Sequence, residues 1–226
     1  NDIDDNACNI FKENFGIAPD NRDIREVKSE DIPEFDILTG GFPCQSFSII
    51  AQNPKRLGVK DERGKLFFEM CRILKERQPK CFIAENVKGI LTANKKSAFP
   101  LIMKEFEDSG YNVQYRILNS ANYGVPQKRE RVIIVGFRKD LEMEFSFPDT
   151  KIRNEDDFIP LKEVIEKKVD EKYFFSERAV AGMMKKRESM NKGRAQDLNK
   201  PCNTVGAHLA KVSLNSTDPV LMEGKR

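Results

Sequence analysis

The chain has 226 residues, of which 39% are hydrophobic and 33% charged, a composition typical of soluble globular proteins. It contains no run of about 18 apolar residues and no secretory leader, so we expect a cytoplasmic protein without a membrane span. Its five cysteines form no CxxC pair, which argues against a disulfide framework and against a metal site.

Charge is distributed unevenly, although the formal net charge is only +3. Residues 1–36 contain 11 acidic and 4 basic side chains, whereas the remaining residues contain 25 acidic and 35 basic ones. A basic remainder is expected if the later part of the chain meets a polyanion. Ordinary surface solubility explains the same distribution, so charge alone leaves both interpretations open.

Hydrophobic periodicity predicts alternating helices and strands up to Phe137. Helical spacing predicts helices at 4–14, 65–77 and 99–108, and apolar runs predict strands at 36–39, 81–84, 111–118 and 131–137. This alternation is typical of an α/β fold with a mostly parallel sheet and helices on both faces.

The character of the sequence changes after Pro148, where charge rises and strand patterns fade until 210–214. We therefore predict a catalytic core at 1–148 and a second region at 149–226. Residues 185–200 of that region contain six basic and two acidic side chains. A solvated helix face and contact with DNA phosphates both explain this cluster.

Two motifs lie just beyond predicted strand ends, where open α/β sheets bind ligands. Cys44 follows Gly-Gly-Phe-Pro, a sequence that favours a tight turn presenting the thiol. Glu85-Asn86-Val87 ends the next strand along the chain. Most cysteines are buried packing residues, and we assign that role to Cys8, Cys71 and Cys81.

Gln127, Arg129 and Arg131 alternate at strand spacing, which places them on one face. Two guanidinium groups on one face suit an oxyanion, a phosphate or a pyrimidine carbonyl oxygen. The alternative is that these charged side chains lie on an edge strand and prevent it from pairing with another chain. A Cys-His hydrolase would need the single histidine, His208, as its base, and would leave Glu85 and both arginines without a role.

In this order and at these separations, the motifs resemble those of the DNA cytosine-5 methyltransferases. The resemblance rests on residues 41–48, 61–67, 85–87 and 127–131, and it resumes at 200–205. It implies a Rossmann-like, S-adenosylmethionine-dependent fold plus a small recognition region, and methyl transfer to carbon 5 of cytosine in duplex DNA. An RNA cytosine-5 methyltransferase and a non-catalytic DNA-binding module remain alternatives.

The resemblance also implies catalytic roles. Cys44 is the thiolate that adds to carbon 6 of cytosine. Glu85 holds ring nitrogen 3 and the exocyclic amine, and the Phe42 backbone carbonyl accepts a further hydrogen bond from that amine. Arg131 holds the carbonyl oxygen at position 2, with Arg129 beside it. Because these cytosine atoms are out of reach inside a duplex, the base has to be flipped out of the helix.

The same resemblance implies contacts with the cofactor and with DNA. Cofactor contacts are expected from Asp2, Ile3, Asp23, Ile24, Gly41, Pro43 and Leu66. DNA contacts are expected from Gln45, Ser48, Lys60, Arg63, Lys186 and Arg194. A cognate restriction endonuclease is a further partner in such systems, and we expect no stable complex with it.

The resemblance departs from the family at both ends of the sequence. The family's first strand, with its Phe-x-Gly-x-Gly loop, and the segment that follows the ninth motif have no counterpart here. Without the first strand, its neighbour is expected to form a sheet edge. We therefore expect a chain of this span to bind S-adenosylmethionine weakly or not at all, and to be inactive or impaired.

Overall fold

The computed structural model describes residues 1–43, 65–184, 196–206 and 220–221. The chain forms two compact units, and the first contains residues 1–117 and 131–146. The second contains residues 118–130 and 147–226. The domain boundary that we place at residue 148 stays a prediction.

The secondary structure follows the predicted order. The α-helices of the described residues are α1 (Asp5–Phe15), α2 (Lys65–Arg77), α3 (Ala98–Asp108) and α4 (Glu177–Met184). The strands are β1 (Ile37–Gly41), β2 (Cys81–Val87), β3 (Tyr111–Asn119) and β4 (Glu130–Arg138). The helices and strands predicted up to Phe137 are thus confirmed, and the predicted strand at 210–214 lies outside the described residues.

Local sequence explains where α1 begins and ends and where α2 ends. The Asp4 carboxylate accepts hydrogen bonds from the first backbone N–H groups of α1, and Gly16 ends that helix with a φ of 72°. After α2, Gln78 adopts a φ of 46°, and its side chain donates to the Leu74 carbonyl at 2.8 Å. Pro79 follows, which cannot continue a helix.

The sheet has the strand order β1-β2-β4-β3. β1 and β2 are parallel, with Gly41 opposite Glu85, and β1 lies at one edge of the described sheet. β2 and β4 are antiparallel, with Val87 opposite Arg131, so the sheet is mixed. The connection at 120–129 explains the antiparallel direction of β4, because it is too short for the crossover that a parallel return requires.

Helices α2 and α3 pack against one face of the sheet. This core includes Phe67 and Leu74 of α2, Phe106 of α3 and Phe82 of β2. The predicted α/β class is confirmed. The opposite face of the sheet leaves several apolar side chains exposed, namely Ile37, Ile83 and Val87.

In the part of the chain that the structure describes, no helix combines the length and the apolar character needed to cross a bilayer. The expected cytoplasmic location stays a prediction.

Candidate active site

The parallel pairing of β1 with β2 brings the Gly-Gly-Phe-Pro motif next to the Glu-Asn-Val motif. Gly41 lies opposite Glu85, and a Cβ atom at Gly41 would lie 3.7 Å from Glu85 Oε2. At Gly40, a Cβ atom would lie 3.0 Å from Met70 Sδ. The absence of a side chain at Gly40 therefore lets α2 approach the strand that leads to the motif.

Asn86 holds the turn that precedes Cys44. Its buried side-chain amide donates to the Phe42 carbonyl oxygen at 2.8 Å, and its own oxygen accepts from the Val87 N–H at 2.9 Å. The Phe42 ring is also buried and packs edge-on against Phe67, with ring centroids 5.1 Å apart. One hydrogen bond thus links the two motifs across β1 and β2.

This contact adds to what the sequence predicts. The Phe42 carbonyl oxygen accepts from Asn86 and has a second lone pair, so its expected contact with the cytosine amine stays a prediction. Sequence reasoning assigned no role to Asn86. A signal was present, because Phe82, Ala84 and Asn86 share one face of β2 and two of the three are apolar core residues.

Glu85 and Arg131 form an ion pair, with Glu85 Oε1 2.7 Å from Arg131 Nε. They are diagonal neighbours on one face of the antiparallel pair, because Glu85 lies opposite Ile133 and Arg131 opposite Val87. Their side chains are 43% and 19% exposed, respectively. A carboxylate and a guanidinium therefore lie side by side. The carboxylate can accept a hydrogen bond from a polar ligand, and the guanidinium can donate one to the same ligand.

Arg129 belongs to the second unit and precedes β4. Its backbone N–H donates to Asn119 Oδ1 at 3.1 Å, and its side chain is half-buried. The preceding residues pair with a distant segment, since the Lys128 N–H donates to the Cys202 carbonyl at 2.8 Å. The Thr204 hydroxyl donates to the Lys128 carbonyl at 2.9 Å. The Gln-x-Arg-x-Arg motif is thus held at its start by residues 202–204.

The predicted cofactor residues of the first 24 positions are brought together by the backbone. The Asp2 N–H donates to the Asp20 carbonyl at 3.1 Å, which places Asp2 and Ile3 near the segment that leads to Asp23 and Ile24. Ile3 is 67% exposed. Hydrogen bonds from the Arg25 side chain to the Asp23 carboxylate lower the pKa of that carboxyl to about 2.

The other predicted cofactor residues lie at the ends of β1 and α2. Gly41 is exposed at the end of β1, and Pro43 is half-buried two residues later. Leu66 is half-buried in the first turn of α2. Within the described ranges, no group of three or more His, Cys, Asp or Glu residues is arranged to hold a metal ion.

Several predicted site residues lie outside the described residues. They are the nucleophile candidate Cys44 and the DNA-contact candidates Gln45, Ser48, Lys60, Arg63, Lys186 and Arg194. His208 also lies outside them.

The cysteines that the structure does describe are unsuited to nucleophilic attack. Cys8, Cys71 and Cys202 are buried, and Cys81 is half-buried. Burial raises the pKa of the Cys71 thiol to about 12, and it also raises the pKa values of Cys81 and Cys202. A nucleophilic thiolate needs a lowered pKa, so these thiols have the packing character expected of Cys71 and Cys81.

Residues 1–216 match the family model of the C-5 cytosine-specific DNA methylases. The chain belongs to this family. It is 46% identical over 151 residues to the type II methyltransferase M.NgoFVII of Neisseria gonorrhoeae, a match that covers 66% of this chain and 40% of that protein. It is 48% identical over 149 residues to M.FnuDI of Fusobacterium nucleatum, covering 66% and 42%.

The match to solved structures supports the methyltransferase fold. The S. pombe Dnmt2 methyltransferase superposes with a TM-score of 0.70 at 17% identity, over 93% of this chain and 64% of that one. This identity is low, so the likeness concerns the fold alone. The chain spans about two fifths of the length of the two bacterial relatives.

Proposed function

We propose that the full-length protein transfers a methyl group from S-adenosylmethionine to carbon 5 of cytosine in double-stranded DNA. The observation that carries the proposal is the 2.7 Å ion pair between Glu85 and Arg131. Glu85 also lies opposite Gly41, which precedes the candidate nucleophile Cys44 by three residues in the sequence. Family membership and the bacterial type II relatives support DNA as the substrate.

The ion pair has the polarity that a cytosine ring requires. One oxygen of the Glu85 carboxyl group accepts from the exocyclic amine, and the other, once it has taken up a proton, delivers that proton to ring nitrogen 3, whereas the guanidinium of Arg131 donates to the oxygen at position 2. Pairing the two groups before substrate arrives orients each of them, so less reorganisation is required when the base enters. A flipped-out cytosine exposes the ring edge that these groups would contact.

The chemistry proceeds through a covalent adduct. The Cys44 thiolate forms a bond to carbon 6, ring nitrogen 3 takes a proton from Glu85, and carbon 5 becomes nucleophilic. S-adenosylmethionine would supply the methyl group to carbon 5, with the bond between that methyl group and the sulfonium sulfur breaking and S-adenosylhomocysteine leaving. A base removes the proton from carbon 5, the bond between Cys44 and carbon 6 breaks, ring nitrogen 3 returns its proton to Glu85, and 5-methylcytosine leaves.

The described residues fit the proposed methyl donor. Asp2 is exposed, and its Oδ1 accepts from the Asp4 N–H at 2.9 Å, an arrangement that leaves carboxylate capacity for ribose hydroxyls. The 67% exposed side chain of Ile3 offers an apolar surface to an adenine ring. Asp23, Ile24 and Leu66 are proposed to complete the adenine contacts.

DNA binding is proposed to depend on residues of the segment after Cys44 and of the basic cluster. Gln45, Ser48, Lys60 and Arg63 would contact DNA beside the flipped base, and Lys186 and Arg194 would contact its backbone. Contacts to phosphates make binding strongly salt-dependent but carry no sequence information directly.

Adduct formation tests the proposed chemistry. We expect the full-length protein, given S-adenosylmethionine and a duplex with 5-fluorocytosine at the target, to form a covalent complex, because fluorine blocks the final elimination. Cys44→Ser should abolish the complex on denaturing gels and by mass spectrometry. Cys81→Ser, which replaces a half-buried thiol, is the matched control and should leave adduct formation intact.

Two results would contradict the proposal. An adduct that survives Cys44→Ser would remove the nucleophile assignment. An adduct with transfer RNA containing 5-fluorocytosine, together with none on duplex DNA, would favour the RNA methyltransferase alternative.

Arg131→Lys tests the proposed guanidinium contact. Lysine keeps the positive charge but loses the planar fork that pairs with Glu85 and donates to the base. We expect methylation of duplex DNA at saturating cofactor to fall roughly 100-fold, since a charge-assisted hydrogen bond contributes a few kcal/mol at most. Arg116→Lys makes the same replacement at an exposed position of β3 and is the control. Equal losses of methylation activity in both variants would argue against a specific role for Arg131.

A further inference from the structure

Arg72, in the middle of α2, makes hydrogen bonds to a loop more than forty residues earlier in the chain. Its Nη1 donates to Ser29 Oγ at 2.7 Å, and its Nη2 donates to the carbonyl oxygens of Val27 at 2.9 Å and Ile24 at 3.3 Å. On the other side of the guanidinium, Nε donates to Glu69 Oε2 at 2.8 Å. The Arg72 side chain is only 26% exposed.

The loop at 23–29 depends on such contacts for its conformation. Residues 16–28 form neither helix nor strand, so backbone pairing with a neighbouring element does not define them. Within the loop, the Glu26 N–H donates to the Asp23 carbonyl at 2.9 Å and the Val27 N–H to the Ile24 carbonyl at 3.3 Å, and Val27 and Ser29 are buried. The guanidinium of Arg72 adds three bonds that join this loop to α2.

Arginine suits this task because its donors lie in one rigid plane. Three acceptors of the loop and the Glu69 carboxylate are contacted by one group. A lysine ammonium is a compact donor on a flexible stem and lacks this fixed fork. The geometry of the loop is thus matched to the shape of the guanidinium and not only to its charge.

The anchored loop contains residues that the proposed function assigns to the adenine. The Ile24 carbonyl is itself an acceptor of Arg72, so that bond holds the backbone of Ile24 beside α2. Asp23 is the preceding residue, and Leu66 lies six residues before Arg72 on α2. One helix therefore carries a proposed adenine contact and also fixes the loop that carries two others.

We propose that Arg72 is a positioning residue for cofactor binding, which acts by holding the loop at 23–29 against α2. The proposal rests on the proposed function, because it takes Asp23, Ile24 and Leu66 as adenine contacts. Arg72 itself does not touch the reacting atoms. Its loss is expected to weaken cofactor binding while leaving the chemical step at saturating cofactor nearly unchanged.

Arg72→Lys in the full-length protein tests this, with S-adenosylhomocysteine as the binding probe. We expect its dissociation constant to rise about tenfold by calorimetry, the equivalent of one net hydrogen bond, and kcat at saturating S-adenosylmethionine to stay within about twofold. Amide hydrogen exchange at 24–29 should accelerate about tenfold. Arg77→Lys, in the last turn of the same helix, is the matched control and should change none of these values.

A milder variant keeps the test decisive if Arg72→Lys does not fold. Ser29→Ala removes one acceptor of the fork and should give a smaller rise in the dissociation constant and in loop exchange. Unchanged exchange in both variants would overturn the anchoring role. Faster exchange with unchanged probe affinity would overturn the link to the cofactor.

The proposed function fails in a different way. If the unsubstituted protein did not bind S-adenosylhomocysteine, the cofactor assignment and this inference would both be wrong. If the unsubstituted protein bound the probe normally and only the Arg72 prediction failed, the proposed function would stand.

Discussion

Gly136→Ala is expected to lower the free energy of unfolding by about 3 kcal/mol, at the upper end of the cost of overpacking a core. Gly136 lies in β4 opposite Phe82 of β2, and a Cβ atom there would lie 2.1 Å from Phe82 Cε1. Phe82 is fully buried and packs against Phe106 and Tyr111, with ring centroids 4.5 and 5.3 Å away. The ring therefore cannot move aside without displacing the core.

Thermal and urea unfolding measure this cost, and the melting temperature should fall by roughly 10 °C. Gly89→Ala is the matched control, because its Cβ atom would meet only Val87 Cγ2 at 4.0 Å. In a Phe82→Leu background, Gly136→Ala should cost much less, since the clashing ring atoms are gone. A Gly136→Ala variant as stable as the Gly89→Ala variant would contradict the close approach of β4 to Phe82.

Asn86→Ala is expected to lower the free energy of unfolding by about 2 kcal/mol, because it removes the buried hydrogen bonds that the Asn86 side chain makes to the Phe42 carbonyl and to the Val87 N–H. The same change releases the turn before Cys44. Since small displacements of catalytic groups are costly, methylation by the full-length protein should fall roughly 100-fold.

Two measurements separate these effects. Chemical unfolding reports the loss of stability, and single-turnover methylation well below the melting temperature reports the loss of positioning. Asn112→Ala makes the same replacement at an exposed position of β3 and should alter neither. If Asn86→Ala lost stability but kept full single-turnover methylation, the hydrogen bond to Phe42 would stabilise the fold without positioning the turn.

Particular residues show how far the amino-acid sequence predicts this fold. Helix α2 begins at Lys65 and ends at Arg77 as its apolar spacing predicts, because Gln78 and Pro79 interrupt it locally. The strand pairing could not be predicted in the same way. Sequence periodicity indicates which residues are buried, but it does not indicate which strands are neighbours in the sheet. The position of β4 between β2 and β3 is therefore seen only in the folded structure.

For the candidate site, the sequence by itself determined the family and the chemistry-bearing residue types, because the order and separation of the Cys44, Glu85 and Arg131 motifs are properties of the chain. The tertiary structure alone decided the contacts that hold those motifs. The bond from Asn86 to Phe42 and the bonds from Arg72 to the loop at 23–29 join residues more than forty positions apart. Such contacts depend on how strands and helices pack, and no local pattern in the sequence encodes them.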